Sequence, residues 1–228
     1  MKLQVIKTIT GEIHLITGLH IGAGNETIEI GGLDQPIIKC PLDGSPYIPG
    51  SSLKGKMRSL IEIKEGRFSR IKAGEPCDCG QQDCPVCPVF GTSAASKKDE
   101  SKSSAGPTRI VVRDAKLSEF WQDKFEKGSL PMEIKYENTI NRISGIAINP
   151  RPLERVPAGV IFDFNISFKV FEGDDAKYFN TVLQAMKMVE ADALGGSGSR
   201  GSGQIKFKKI IIDGEVKPDN YLDTIKID

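Results

Sequence analysis

Residues 160–212 read VIFDFNISFKVFEGDDAKYFNTVLQAMKMVEADALGGSGSRGSGQIKFKKIII. From Val160 to Phe171 apolar and polar residues alternate, with Ile161, Phe162, Phe164, Ile166, Phe168 and Val170 carrying the pattern of a strand. From Asp174 to Leu194 the spacing changes: Phe179, Val182, Leu183, Met186 and Val189 recur at helical intervals and predict the longest helix of the chain. Gly195–Gly203 then places five glycines in nine residues, and Gln204–Ile212 reads as a strand again. A glycine-rich segment between a helix and a strand of one core is not a linker between domains. Its bare backbone can pack closely and turn N–H groups toward an anion, with Arg200 supplying charge.

The first half of the chain repeats the scheme. Leu3–Thr17 alternates as a strand, and a helix starts at Ser51 or Ser52 with Leu53, Met57, Leu60 and Ile61 on one face. Thr108–Lys116 reads as a strand, EFWQDKF as a short helix, and Met132–Ile148 as extended segments able to form a hairpin. With the insertions set aside, the order is strand, helix, strand, strand, helix, strand. That order predicts an α+β protein with a ferredoxin-like, RRM-type (split βαβ) core. The expected organisation is one domain, 1–228, carrying a cysteine-containing insertion at 67–107 and a hairpin insertion at 130–156. Within the first insertion Ser96–Ala105 has almost nothing to bury and is expected to be mobile.

The 228 residues are 39% hydrophobic and 27% charged with a net charge of +1, so the chain is no indiscriminate binder of polyanions. No apolar run approaches the roughly 18 residues a membrane span needs, and the start of the chain lacks a signal-peptide pattern. The expected location is the cytoplasm, with no membrane partner.

Four of five cysteines, Cys77, Cys79, Cys84 and Cys87, fall within CDCGQQDCPVC. Paired thiolates around a glycine or proline turn suit tetrahedral Zn2+, and four of them leave no open position, so the ion would be structural. The CxC pair is tighter than usual, which leaves Cys40 or a histidine as a replacement ligand; redox or free thiols are the other reading. In PYIPGSSLKGKMR, Lys54, Lys56 and Arg58 with the hydroxyls of Ser51 and Ser52 gather at a helix N-terminus, a natural phosphate site. Arg142, Arg151 and Arg155 surround the hairpin NRISGIAINPRPLERVP, where Ile146 or Ile148 offers an apolar wedge. His20 ends the first strand beside a glycine-rich loop, a place for a structural hydrogen bond; His14 has no assigned role. Asp34, in GGLDQP, is expected on an exposed loop, where a carboxylate near phosphate must hold a metal ion or take a proton. No aromatic pair of the RNP type stands in the strands, which argues against base stacking by a solitary RRM-like module.

Four stretches in one order carry a family resemblance. They are residues 19–62 (LHIGAGNETIEIGGLDQPIIKCPLDGSPYIPGSSLKGKMRSLIE), the cysteine insertion followed by VFG, residues 136–159 (YENTINRISGIAINPRPLERVPAG) and GGSGSRGSGQIKF. Together they resemble the RAMP superfamily of CRISPR proteins, and within it the Csm-type backbone subunits of type III-A effector complexes. The resemblance implies copies of the chain lined up along a CRISPR guide RNA paired with complementary target RNA. Other partners would be a large polymerase-like subunit, a small helical subunit and further RAMP subunits. It implies that Asp34 is needed to cut target RNA at regular intervals, with Mg2+ or another divalent ion. His20, Ser51, Ser52, Lys54, Lys56, Arg58, Arg142, Arg151, Arg155, Gly198, Arg200 and Gly201 would hold RNA, and 130–156 would be a thumb crossing the guide–target duplex. A non-catalytic RAMP scaffold, a single-stranded-RNA-binding RRM-like module and a guide-processing nuclease with a catalytic histidine are the alternatives, the last ranked lowest.

Overall fold

The computed structural model describes residues 1–24, 35–67, 74–92, 105–174 and 176–227. Asp34 and Ser96–Ser104 lie outside the described residues.

Three long strands make the centre. β1 (Leu3–Leu15) lies between β7 (Ile161–Phe171) and β8 (Ile205–Ile212), antiparallel to both. The short strands β2 (Tyr47–Ile48), β3 (Ile110–Val112), β4 (Ala115–Leu117) and β9 (Glu215–Val216) complete a seven-stranded sheet in the order β2–β4–β7–β1–β8–β9, with β3 also on β7. Register places Ile9 opposite Ile166, and Ile13 opposite both Phe162 and Phe207. These apolar residues therefore share one face, and all are buried. The other face carries Thr8, Thr10, Glu12 and His14 of β1 and Asp163, Asn165 and Lys169 of β7.

Helices α1 (Gly50–Lys64) and α4 (Lys177–Ala191) pack side by side over the apolar face. The expected α1 stripe, Leu53, Met57, Leu60 and Ile61, is buried throughout, as are Val182, Leu183, Met186 and Val189 of α4. Each such side chain contributes about 1.5–3 kcal/mol of burial. Phe179 is only partly covered, and it meets Phe168 edge-on at 5.3 Å.

Several boundaries depart from the alternation read in the sequence, each for a physical reason. α1 starts at Gly50 rather than at a serine cap, because Asp114 Oδ1 takes the Gly50 N–H at 2.7 Å. The predicted 108–116 strand is split into β3 and β4 around Arg113 and Asp114, the residue that provides this cap. In β8 the residues Lys208, Lys209 and Ile210 break strict alternation because a bulge sets Gly11 between the Thr10–Ile211 and Glu12–Lys208 pairs, with Lys209 at φ +49°. α3 (Glu119–Glu126) is the expected short helix.

The cysteine segment ends in α2 (Cys87–Phe90), all four residues of which are buried. Arg109, fully buried, pairs with Asp174 at 2.6 Å and donates to Pro107 O at 2.7 Å, fastening the end of the insertion to the loop that precedes α4. A separate two-stranded ribbon, β5 (Glu133–Ile140) with β6 (Ala147–Arg155), extends beyond the predicted 132–148 hairpin. Pro150 and Pro152 hide β6 from sequence reading, yet a ribbon with free outer edges tolerates residues that lack an N–H.

Candidate nucleic-acid interface

The glycine loop is held by backbone packed on backbone. Leu194 N–H donates to Gly203 O (2.8 Å), Gly203 N–H to Gly18 O (2.9 Å) and Gly196 N–H to His20 O (2.8 Å). A Cβ at Gly203, where φ is +79°, would stand 1.9 Å from Leu194 O. The N–H groups of Arg200, Gly201 and Ser202 also bond within the loop, to Ser197 O, Gly198 O and Ser197 O. Gly201 thus spends its donor internally, and the loop's outward group is the Arg200 guanidinium. That guanidinium is held by Glu137 Oε2 at 2.7 Å and Ser197 Oγ at 2.7 Å, and Lys135 Nζ binds Arg200 O at 2.9 Å. The Arg200 hydrogen bond keeps the Glu137 carboxyl below its usual pKa, so it is ionised at neutral pH.

The root of the ribbon is pinned to this loop and to the end of β1. Arg155 bonds Glu133 and donates to Ser202 Oγ at 3.1 Å, with its side chain 12% exposed. Its burial makes it a brace between ribbon and loop. His20 Nδ1 donates to Glu154 O at 2.8 Å, the structural hydrogen bond expected of it. Glu154, 5% exposed, accepts from Ile37 N–H (3.0 Å) and Lys39 Nζ (2.6 Å), and its own N–H donates to Gln35 O (3.2 Å). Ala23 N–H to Pro36 O (3.1 Å) and Ile38 N–H to Ile21 O (2.8 Å) join residues 21–24 to 35–39. Gln35, the residue following Asp34 in the chain, is therefore fixed beside β6.

Gln35, Glu137, Asn138, Thr139, Arg151 and Arg200 line a cavity of about 200 Å³. The Arg151 side chain makes no hydrogen bond or ion pair among the described residues and is exposed. A second groove, about 340 Å³, lies at the start of α1 between Ser51, Lys54, Thr108 and Lys169. Ser52 sits in the same first turn, its N–H bonded to Pro49 O at 3.0 Å. Lys56 pairs with Asp192 at 2.8 Å. Arg58 turns inward, its guanidinium donating to Glu62 (2.8 Å) and Cys77 O (2.6 Å). Arg142 is at the ribbon tip, bonded to Ile140 O. There Ile143 is 99% exposed, more than Ile146 or Ile148, whose exposures are 63% and 40%.

Two basic surfaces thus come together: Arg151 and Arg200 at the ribbon root, and Lys54 with Lys169 beside α1. Sequence reading missed Lys135, Glu137, Asn138, Thr139 and Lys169. The signal was present in Glu133, Lys135 and Glu137, charged residues two apart on one face of a strand.

Cys77, Cys79, Cys84 and Cys87 form the one group of three or more ligand-bearing side chains that could hold an ion among the described residues, their sulfurs all within 4.8 Å. Cys77 Sγ lies 3.8 Å from Cys79, Cys84 and Cys87, and Cys79 lies 3.7 Å from Cys87. A tetrahedron with metal–sulfur bonds of about 2.3 Å has edges of about 3.8 Å. Cys84 Sγ also accepts from the N–H groups of Val86 and Cys87 at 3.4 Å, and thiol hydrogen bonds from Cys77 and Cys87 hold its pKa far below the ordinary thiol value. Neither Cys40 nor a histidine joins the quartet, so the replacement ligand allowed by the tight CxC spacing is not used. No carboxylate cluster near Gln35 offers a second ion site among the described residues: Glu137 is bonded to Arg200 and Glu154 to Lys39.

A model of the RAMP superfamily matches residues 12–206. The CRISPR system Cms endoribonuclease Csm3 of Methanothermobacter thermautotrophicus is 47% identical over 229 residues, covering 93% of this chain and 87% of that one. The Methanocaldococcus jannaschii protein of the same description is 42% identical, covering 89% and 78%. Among solved structures, a Csm3–Csm4 subcomplex in the type III-A CRISPR-Cas interference complex aligns with a TM-score of 0.59 at 31% identity, covering 98% of this chain and 86% of that one. Methanopyrus kandleri Csm3 aligns with a TM-score of 0.60 at 27% identity, covering 89% and 75%.

Proposed function

The chain belongs to the RAMP superfamily and, within it, to the Csm3 family, and from that premise we propose that it is a CRISPR-RNA-binding backbone subunit that cuts target RNA. Copies of it assemble along the guide in a type III-A complex, with a large polymerase-like subunit, a small helical subunit and other RAMP proteins. No helix among the described residues is long and apolar enough to cross a membrane, and we place the complex in the cytoplasm. The order β4–β7–β1–β8 under α1 and α4 supports a ferredoxin-like core. Residues 67–107 act as a lid clipped by structural Zn2+ at the cysteine quartet, and 130–156 as the thumb, with an exposed isoleucine, Ile143, Ile146 or Ile148, as its wedge.

One observation carries the reading: Arg151 and Arg200, from distant parts of the chain, line one cavity with Gln35, the neighbour of Asp34. Guanidinium groups recognise phosphate by charge and geometry and carry no base information, which suits a subunit whose specificity resides in guide–target pairing. Lys54, with Ser51 and Ser52 beside it, is a second backbone contact; His20, Gly198, Gly201 and Arg155 shape the groove, and Lys56 and Arg58 support it through Asp192 and Glu62. Asp34 is the residue on which cutting depends. Asp34 would hold a divalent ion, Mg2+ by its preference for carboxylate and water, and the ion would supply charge to offset that on the scissile phosphate. Cutting requires in-line attack by the neighbouring 2′-hydroxyl, a geometry that a duplex kinked by the thumb supplies at each subunit.

The test is salt dependence of RNA binding by the purified protein. Lys54→Ala and Arg151→Ala each remove one phosphate contact, so each lowers the slope of log affinity against log salt by about one and weakens all sequences alike. An unchanged slope, or losses that vary with base sequence, would contradict the assignment.

A further inference from the structure

Phosphate binding leaves one group at the ribbon root unexplained. Glu137 lines the cavity between two guanidiniums, yet a carboxylate repels phosphate. Its Oε2 accepts from Arg200, but Oε1 is shielded from solvent and accepts no hydrogen bond; Lys135 Nζ, 3.6 Å away, is too far to donate one. An ionised acceptor buried without a donor is costly and marks a place where a ligand group belongs. The ribbon is built to open this place. Register slips between Glu137–Arg151 and Thr139–Ile148, setting Asn149 and Pro150 against Asn138, with Asn149 at φ +54°. Consecutive strand residues normally face opposite sides. At this bulge Glu137, Asn138 and Thr139 all line the same cavity.

We propose that the cavity is a ribose–phosphate subsite in which Arg151 and Arg200 take the phosphate and Glu137 accepts a hydrogen bond from the 2′-hydroxyl of the same nucleotide unit, selecting RNA over DNA. The inference rests on the RNA-binding reading above. An ionised carboxylate accepts and never donates, so it needs a donor on the ligand. An RNA strand offers two kinds, the 2′-hydroxyl and base N–H groups. Phosphate and 2′-hydroxyl accompany each other in every ribonucleotide, which suits a site flanked by phosphate-binding arginines, whereas base N–H groups come and go with sequence. Arg200, 58% exposed, turns from Glu137 to the phosphate and uncovers the carboxylate oxygen for the sugar.

Affinities of the purified protein for RNA, DNA and 2′-fluoro-RNA of one sequence, and for RNA of a second sequence, decide the matter. Wild-type protein is expected to bind RNA about tenfold more tightly than DNA or 2′-fluoro-RNA, the latter having lost the donor and kept the sugar shape. Glu137→Ala removes most of that ratio, Glu137→Gln keeps part of it through its amide oxygen, and Arg151→Ala weakens RNA and DNA equally. The 2′-fluoro comparison uses the unmodified protein and does not depend on any variant folding. Equal shifts of RNA and DNA in Glu137→Ala, wild-type indifference to 2′-fluoro, or a ratio that changes with base sequence would overturn the subsite. Wild-type protein that bound no RNA would instead sink the RNA-binding reading itself.

Discussion

At Gly203 the loop admits no side chain. Its φ of +79° lies in the left-handed region, and a Cβ would meet the Leu194 carbonyl oxygen at 1.9 Å, the same oxygen-bearing residue whose N–H closes the loop on Gly203 O. Gly201 has a similar φ, +83°, but open space around it. The two positions separate strain from collision. Gly201→Ala should cost about 1–2 kcal/mol, the left-handed penalty alone. Gly203→Ala should cost at least ~2–3 kcal/mol more, since backbone must move and Gly18, Leu194 and Arg200 move with it. Urea denaturation of the two variants checks this; equal losses would mean that the loop is not held by close backbone approach. Arg200 alone among the loop's candidate residues projects charge from this rigid seat.

At the scale of elements, the cysteine segment joins a thiol quartet able to hold a metal ion to the core. Glu62 on α1 accepts from both Arg58 and the Cys77 N–H (3.0 Å), and Arg58 in turn donates to Cys77 O. Ordering of the quartet and ordering of the α1 surface are therefore one event. One equivalent of Zn2+ per chain is expected by elemental analysis, and chelation or Cys84→Ser with Cys87→Ser should lower the melting midpoint by roughly 5 °C or more. Protein purified without metal and equally stable would contradict the clip. The quartet was legible because its ligands lie within eleven residues of one another, and so were α1, β7 and α4, whose apolar periods survive intact. Three features were not. Arg58 reads as a phosphate contact until tertiary structure brings Cys77 O beneath it. β6 is concealed by Pro150 and Pro152, and in β8, itself expected over Gln204–Ile212, the bulge opposite Gly11 hides which residues face the core. Local pattern reports a period, whereas these depend on a partner far along the chain.

Over the whole molecule, a net charge of +1 coexists with two basic surfaces because acidic residues are placed to occupy particular cations, Glu133 on Arg155, Glu62 on Arg58 and Asp192 on Lys56. Arg151 lines the cavity at the ribbon root, and Lys54 and Lys169 line the separate groove at the start of α1. On the proposed reading, such local charge binds phosphate without making the protein a general polyanion sink. On the proposed reading this surface presents RNA to Asp34 for cutting. The most direct measurement is cleavage of complementary target RNA by the assembled complex carrying Asp34→Ala, with target binding followed in the same samples. Binding is expected to persist while the regularly spaced cuts disappear; a variant complex that still cut at the wild-type rate would remove the catalytic role of Asp34 and leave the chain a scaffold.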